Sequence, residues 1–180
     1  RGRPVAYNAY LERRREPREG HHLAHYLSSH DVPGALYQLD GDVDRFRLLA
    51  FLQMTVSGIP TIYYGEEVGR LGGDWPENRS DMPWGDRDVK PGAGLDRDEN
   101  LRDFYKALIA VRRAHPALWR GTHKGVDFGT DHLVFHRRDE ASGDDGASGD
   151  DEASGDAVLV AVNRAEAPTT LEFDLPEGWP

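Results

Sequence analysis

Two short apolar runs, each followed by polar residues, constrain the fold of this chain most. The first run, residues 22–28, leads to His30 and Asp31, and the second, residues 59–64, leads to a Gly-Glu-Glu sequence. Runs of this length that are rich in β-branched and aromatic residues are typical of buried strands. A helical pattern follows each run, and this order predicts parallel strands of an α/β fold whose carboxyl ends meet at one edge.

Three helices are predicted from apolar spacing and from stop signals. The first covers residues 3–16, with Val5 and Ala9 on its apolar face, and Pro17 stops it. The second follows Asp42 and ends near Gly58. Its apolar side chains recur at three- and four-residue spacing: Phe46, Leu49, Leu52 and Val56. The third covers residues 98–115 and stops at Pro116, and its apolar face comprises Leu101, Phe104, Tyr105, Leu108 and Val111.

Beyond Gly121 the apolar pattern changes to a period of two, which is typical of half-buried strands. We predict strands within residues 133–136, 158–162 and 170–175. The insertion at about 140–156 is a near repeat of Ala-Ser-Gly-Asp that has no apolar residue larger than alanine. Such a composition cannot contribute to a core, so we predict a disordered acidic extension. Its aspartates lack the spacing of an EF-hand calcium loop.

Charge and composition narrow the possible partners. The formal net charge of −10, from 32 acidic and 22 basic residues, argues against nucleic acid and anionic membranes and favours an uncharged ligand. The absence of cysteine excludes disulfides and thiolate metal sites but leaves the compartment undetermined. The longest apolar stretch is too short to span a bilayer. We predict no cofactor, no metal site and no membrane partner.

Three sequence motifs resemble the α-amylase family of glycoside hydrolases. They are LSSHDVPGAL at 27–36, GIPTIYYGEE at 58–67, and the Gly-Gly, Pro, Asn-Arg and Met-Pro-Trp pattern within 72–84. Their order and spacing extend the resemblance over about residues 1–165. Within the family, the third motif is most similar to the neopullulanase, cyclomaltodextrinase and maltogenic amylase group.

The resemblance implies an α/β fold, the C-terminal part of a (β/α)8 TIM barrel followed by an incomplete antiparallel β-domain. Residues 1–120 would be the last (β/α) units of the catalytic barrel, and residues 121–180 a partial C-terminal β-sandwich domain. The family's nucleophilic aspartate and acid/base glutamate lie on earlier strands, before residue 1. We therefore expect this chain to be inactive alone and to need the remainder of the parent barrel as its partner.

The resemblance also implies roles for residues at the two strand ends. Asp31 matches the family's third catalytic carboxylate, which stabilises the transition state, and His30 matches the neighbouring substrate-binding histidine. Arg79 matches a loop arginine that binds a donor-side glucose. The aspartate that usually accompanies this arginine aligns with Trp75, and Asp74 stands one place earlier. The implied substrate is an α-glucan oligosaccharide from starch, maltooligosaccharides or cyclodextrins.

Other interpretations of these residues remain open at this stage. Asp31 could form an Asx-turn, and Trp75 could stack on a pyranose face or pack within its loop. Gly34 stands where many relatives carry an arginine, which could alter the electrostatics of the site. We interpret Glu66 and Glu67 as structural or rim groups, because neighbours on a strand point to opposite faces.

Two rival functional classes are also open. The histidines at 21, 22, 25 and 30, with Asp31, could form a metal site of a phosphohydrolase. Alternatively, the chain is a non-catalytic fragment or a complementing subunit that binds carbohydrate or a partner chain.

Overall fold

The computed structural model describes residues 4–13, 21–139, 155–175 and 179. These residues form two compact units, each discontinuous in sequence. The strand–helix unit comprises residues 23–54 and 59–111, and the sheet unit comprises the described parts of 1–22, 55–58 and 112–180. The elements in chain order are α1 (Pro4–Arg13), β1 (Ala24–Tyr26), α2 (Ala35–Gln38), α3 (Val43–Thr55), β2 (Ile59–Thr61), α4 (Glu99–Ala114), α5 (Pro116–Trp119), β3 (Thr122–Phe128), β4 (His132–Arg138) and β5 (Ala157–Asn163).

The two predicted parallel strands are present in the strand–helix unit. β1 and β2 pair in parallel, with Ala24 opposite Ile59 and Tyr26 opposite Thr61. Both strands are shorter than the apolar runs that predicted them. Gln53 of α3 contacts both strands. Its side-chain amide donates to the backbone carbonyl of Thr61 at 3.0 Å, and its backbone carbonyl lies 2.9 Å from His25 Nε2. The predicted strand–helix–strand order is therefore confirmed.

The core of this unit lies between α2, α3 and α4. Its buried members are Ala35, Leu36, Phe46, Ala50, Met54, Leu101, Tyr105 and Leu108. Of the residues predicted to face the core on α3, Phe46 and Val56 are buried, whereas Leu49 and Leu52 are half-buried and Ala50 and Met54 are buried instead. On α4 the predicted Leu101, Tyr105 and Leu108 are buried, Phe104 is half-buried and Val111 is exposed. Asp98 caps α4, because its Oδ1 accepts the amide of Leu101 at 2.9 Å.

The sheet unit contains a three-stranded antiparallel sheet of order β3-β4-β5. The predicted strands at 133–136 and 158–162 lie within β4 and β5, which confirms them. Residues 170–175 form no strand, so that prediction is wrong. β3 escaped prediction because a register shift between Gly125 and Asp127 interrupts its period of two.

Helix α1 packs on the sheet through polar residues. Asn8 and Leu11 are buried, whereas Val5, on the predicted apolar face, is 45% exposed. Asn8 Oδ1 contacts His123 Nε2 at 3.0 Å, and the amide of Gly125 donates to Glu12 at 2.9 Å. The predicted apolar face of α1 is therefore wrong, because polar contacts to β3 dictate which side is buried.

Two buried arginines connect strand ends and turns of the sheet unit through backbone carbonyls. Arg137 is fully buried and donates to the carbonyl of Thr122 at 3.2 Å and to that of Thr55 at 3.4 Å. Desolvation lowers its pKa to about 10. Arg112 donates to the carbonyls of Val56 at 3.1 Å and Gly58 at 2.6 Å. These hydrogen bonds satisfy buried guanidinium donors and backbone carbonyls that would otherwise lack a partner.

Most of the predicted acidic extension, residues 140–154, lies outside the described residues. Asp156, at the end of that predicted extension, is among the described residues. The Asp156 carboxylate accepts the amide of Ala117 at 2.9 Å and contacts His115 Nδ1 at 3.0 Å. Among the described residues, no helix is both long enough and apolar enough to cross a membrane.

Candidate functional site

The loop that follows β1 carries the His-Asp pair. Ser29 and Val32 form an isolated antiparallel bridge around it, and the amide of Asp31 donates to Ser29 Oγ at 3.1 Å. Ser28 Oγ accepts the amide of Ala35 at 2.8 Å, which joins the loop to the start of α2. This turn leaves the side chains of His30 and Asp31 exposed.

Gly34 must be small because another loop approaches it closely. This second loop comprises residues 62–98, between β2 and α4. Its amide donates to the carbonyl of Gly72 at 2.6 Å. A Cβ at position 34 would collide with the carbonyl oxygens of Leu71 and Gly72. Any larger residue at this position would force the two loops apart.

Three predicted site residues meet at these strand ends. His30 Nε2 lies 3.2 Å from Asp31 Oδ2, and a terminal nitrogen of Arg79 lies 3.8 Å from Asp31 Oδ1. The Asp31 side chain is 72% exposed and that of Arg79 is 43% exposed. Ion pairs between exposed side chains contribute little to stability. Because the Asp31 carboxylate is exposed, it is accessible to a ligand.

Asn78 links the two loops and was missed by sequence reasoning. It lies in the 3₁₀ turn Glu77–Arg79 and is buried. Its side-chain amide donates to the carbonyl of His30 at 2.9 Å, across 48 residues of sequence. The Asn-Arg motif pointed to this turn, but nothing in the sequence identified the partner of the asparagine.

The other two predicted residues are held by contacts within the second loop. Asp74 Oδ1 accepts the amide of Trp75 at 2.8 Å, and the Asp74 carbonyl accepts the amide of Asn78 at 3.1 Å. The Trp75 side chain is largely exposed. An indole in that position contributes little to packing of the loop, and one of its faces is open to a ligand.

The Glu66–Glu67 pair lies in a 3₁₀ turn, Glu66–Val68, and not on a strand. β2 already ends at Thr61, and Gly65 begins this turn with a φ of 87°, so the expectation of opposite strand faces is wrong in its reason. Glu66 is 4% exposed, and its Oε2 accepts the amide of Tyr63 at 3.0 Å. Glu67 instead accepts the amide of Gly65 at 2.9 Å.

Burial raises the pKa of Glu66 to about 7. Interactions with Ser28 and with the Tyr63 amide act in the opposite direction but are weaker, and the Glu67 charge adds to the increase. Glu66 is thus a core carboxyl beneath the strand ends, as the structural interpretation of this residue expected.

Across the described part of the chain, no three His, Cys, Asp or Glu side chains are arranged to hold a metal ion. The histidines considered for a metal site do not converge there. His25 contacts the carbonyl of Gln53, while His30 faces Asp31. The donor sets therefore give the phosphohydrolase alternative no support.

The geometry suits recognition of a hydroxyl-rich ligand. The His30 imidazole and the Arg79 guanidinium each lie within 3.8 Å of the Asp31 carboxylate, so one strong acceptor has a potential donor near each of its oxygens. In α/β folds, binding sites are commonly found at the edge where the carboxyl ends of parallel strands lie.

Comparison with known proteins names the family. Residues 4–84 match the family model described as the catalytic domain of alpha amylase. Residues 4–84 are thus similar to the catalytic domain of α-amylase-family proteins, and the resemblance inferred from the motifs is confirmed.

Characterised relatives agree with this placement. A cyclomaltodextrinase of Geobacillus thermopakistaniensis is 37% identical over 115 residues, which cover 63% of this chain and 18% of that protein. Neopullulanase 2 of Thermoactinomyces vulgaris is 37% identical over 99 residues, covering 55% of this chain and 16% of that protein. The chain thus spans less than a fifth of the length of these relatives.

Solved structures share the arrangement of elements. A cyclomaltodextrinase structure aligns with 85% of this chain and 23% of its own, at a TM-score of 0.68 and 32% identity. The α-amylase of H. orenii, at 24% identity, aligns with 77% of this chain and 33% of its own at a TM-score of 0.65, which supports the fold alone.

Proposed function

We propose that this chain is part of a retaining glycoside hydrolase that acts on α-glucans such as starch, maltooligosaccharides or cyclodextrins. Residues 1–120 would belong to a (β/α)8 TIM barrel and residues 121–180 to a C-terminal β-domain. The convergence of His30, Asp31 and Arg79 at adjacent parallel strand ends is the observation that carries the proposal. Relatives named cyclomaltodextrinase and neopullulanase support the substrate class.

Asp31 would act as the transition-state stabiliser. Retaining hydrolysis needs a carboxylate nucleophile and a carboxylic acid about 5–5.5 Å apart, and it passes through an oxocarbenium-like state. We assign those two groups to the remainder of the parent barrel. Asp31 would accept hydrogen bonds from sugar hydroxyls and place negative charge beside the anomeric carbon, while His30 donates to the same sugar. This contribution would grow when a bound substrate covers these two exposed side chains and excludes water from them.

The second loop would bind the neighbouring glucose unit. Arg79 can donate from several guanidinium nitrogens to vicinal hydroxyls, and Asp74 can accept from them. The exposed indole of Trp75 can stack on the apolar C–H face of a pyranose. The ligand would be an uncharged oligosaccharide and not nucleic acid or a membrane, in keeping with the net charge of −10.

Substitution of Asp31 in the full-length protein tests this proposal. Asp31→Asn should lower kcat for maltotriose or β-cyclodextrin by about a thousandfold, because it removes an interaction made mainly in the transition state. Asp44→Asn is the matched control, since Asp44 is 90% exposed and pairs only loosely with Arg47 at 3.3 Å. Undiminished turnover in the Asp31→Asn protein would refute the assignment.

A second candidate is a non-catalytic or complementing chain that binds carbohydrate or a partner chain. The exposed side chains of His30, Asp31 and Arg79 would also serve sugar binding in this second candidate. The intact mass of the native product separates the two candidates. A mass well above 20.1 kDa supports the hydrolase, whereas a product of 20.1 kDa supports the complementing role.

A further inference from the structure

We infer that Arg70 is a positioning residue of the proposed sugar site, holding the backbone on both sides of Arg79 so that this guanidinium faces Asp31. The inference rests on the function proposed above. It arises from a buried arginine that none of the sequence motifs singled out.

The guanidinium of Arg70 lies within the second loop and contacts its backbone on three sides. Arg70 is 8% exposed, and its Nε donates to the carbonyl of Tyr64 at 2.9 Å. One terminal nitrogen donates to Ser80 Oγ at 3.1 Å and lies 3.4 Å from the carbonyls of both Asn78 and Ser80. The residues immediately before and after Arg79 are therefore bound to one rigid group.

Two tyrosines reinforce the same pair of carbonyls. Tyr63 Oη donates to the Asn78 carbonyl at 3.1 Å, and Tyr64 Oη donates to the Ser80 carbonyl at 2.8 Å. The Arg70 guanidinium carbon lies 4.1 Å from the Tyr64 ring centroid and 5.1 Å from that of Tyr63. Only a planar cation with several fixed donors can stack on aromatic rings and serve several carbonyls together, so lysine is a poor substitute.

The contacts continue from this cluster to the proposed catalytic carboxylate. Arg79 donates to Asn78 Oδ1 at 3.3 Å, while the Asn78 amide donates to the His30 carbonyl. A shift of the Asn78 backbone would therefore move the Arg79 guanidinium away from Asp31. Gly65 makes room for this arrangement, because a Cβ there would lie 2.8 Å from Arg70 Cδ.

Kinetics of the full-length protein on maltotriose test the inference. Arg70→Met should raise KM about tenfold with a smaller change in kcat, because misplacing a substrate-positioning group weakens binding of the sugar. Arg70→Lys should be intermediate, since it keeps the charge but loses the fork and the stacking. Arg112→Lys is the control, a buried arginine that also serves two backbone carbonyls but belongs to the sheet unit, and it should leave KM unchanged.

A double-mutant cycle distinguishes positioning from general stability. If Arg70 acts through Arg79, the Arg70→Met effect on KM should disappear in an Arg79→Ala background. Additive effects of the two substitutions would overturn the inference while leaving the proposed function intact, as would an equal KM change in the Arg112→Lys control. Should Arg70→Met fail to fold, the same cycle with Arg70→Lys decides the question. Retained turnover in Asp31→Asn would instead refute the proposed function itself.

Discussion

Glu66 should make the strand–helix unit lose stability as the pH rises from about 4.5 through 7. Its carboxyl is 4% exposed, and burial raises its pKa from 4.5 to about 7. A folded-state pKa above the unfolded value means that the folded protein binds the proton more tightly. The stabilisation is complete below pH 4.5 and is lost as the pH rises through 7. A difference of this size corresponds to about 3 kcal/mol.

Glu66→Gln removes this titration and nearly preserves the shape of the side chain. At pH 8 the variant should exceed the wild type in free energy of unfolding by up to about 3 kcal/mol, and at pH 4 the two should differ much less. Urea unfolding at both pH values measures this difference, and hydrogen exchange of the amides in α3 and α4 as the readout reports it for the strand–helix unit. Because other groups titrate equally in both proteins, the difference isolates Glu66. The same stability gap at both pH values would refute the reasoning.

Three further predictions follow from single residues. Tyr105→Phe should raise the melting temperature, because the buried hydroxyl has no hydrogen-bond partner among the described residues and leaving it unsatisfied costs about 1 kcal/mol or more; a lower melting temperature would contradict this. Gly34→Ala should lower the free energy of unfolding by about 2 kcal/mol or more in urea titrations, since the added Cβ meets two backbone carbonyls. Gly41→Ala is the control: nothing crowds a Cβ there, so this substitution should lower the free energy of unfolding less, despite a φ of 78°. Burial lowers the pKa of His123 to about 4, so the sheet unit should lose stability as the pH falls from 6.5 to 4, and His123→Gln should abolish that loss in acid-unfolding curves.

Local patterns were sufficient wherever a structural signal repeats along the chain. The parallel strand pair, the two long helices and two strands of the antiparallel sheet were predicted because burial imposes periods of 3.6 and 2 on neighbouring residues. The sequence also placed Asp31 and Arg79 in loops that follow two parallel strands, whose carboxyl ends lie together. The roles of these residues in catalysis stay predictions.

Features that depend on a distant partner were beyond prediction. Strand β3 was missed because a bulge breaks its period, and the buried side of α1 is selected by His123, more than a hundred residues away. Glu66 was interpreted as a strand residue because the apolar run up to Tyr64 does not show that β2 ends at Thr61.

The sequence by itself determined the α/β character of the first part, the family, and the two strand-end loops that carry the proposed site. Only the tertiary structure decided that Gly34 must be small, that Asn78 joins the two loops, and that Arg70 holds the segment around Arg79. The physical reason is that periodicity and turn signals report on whether a residue is buried, whereas a hydrogen-bond partner is chosen in space. A buried arginine surrounded by carbonyls has the same one-letter code as a solvated one.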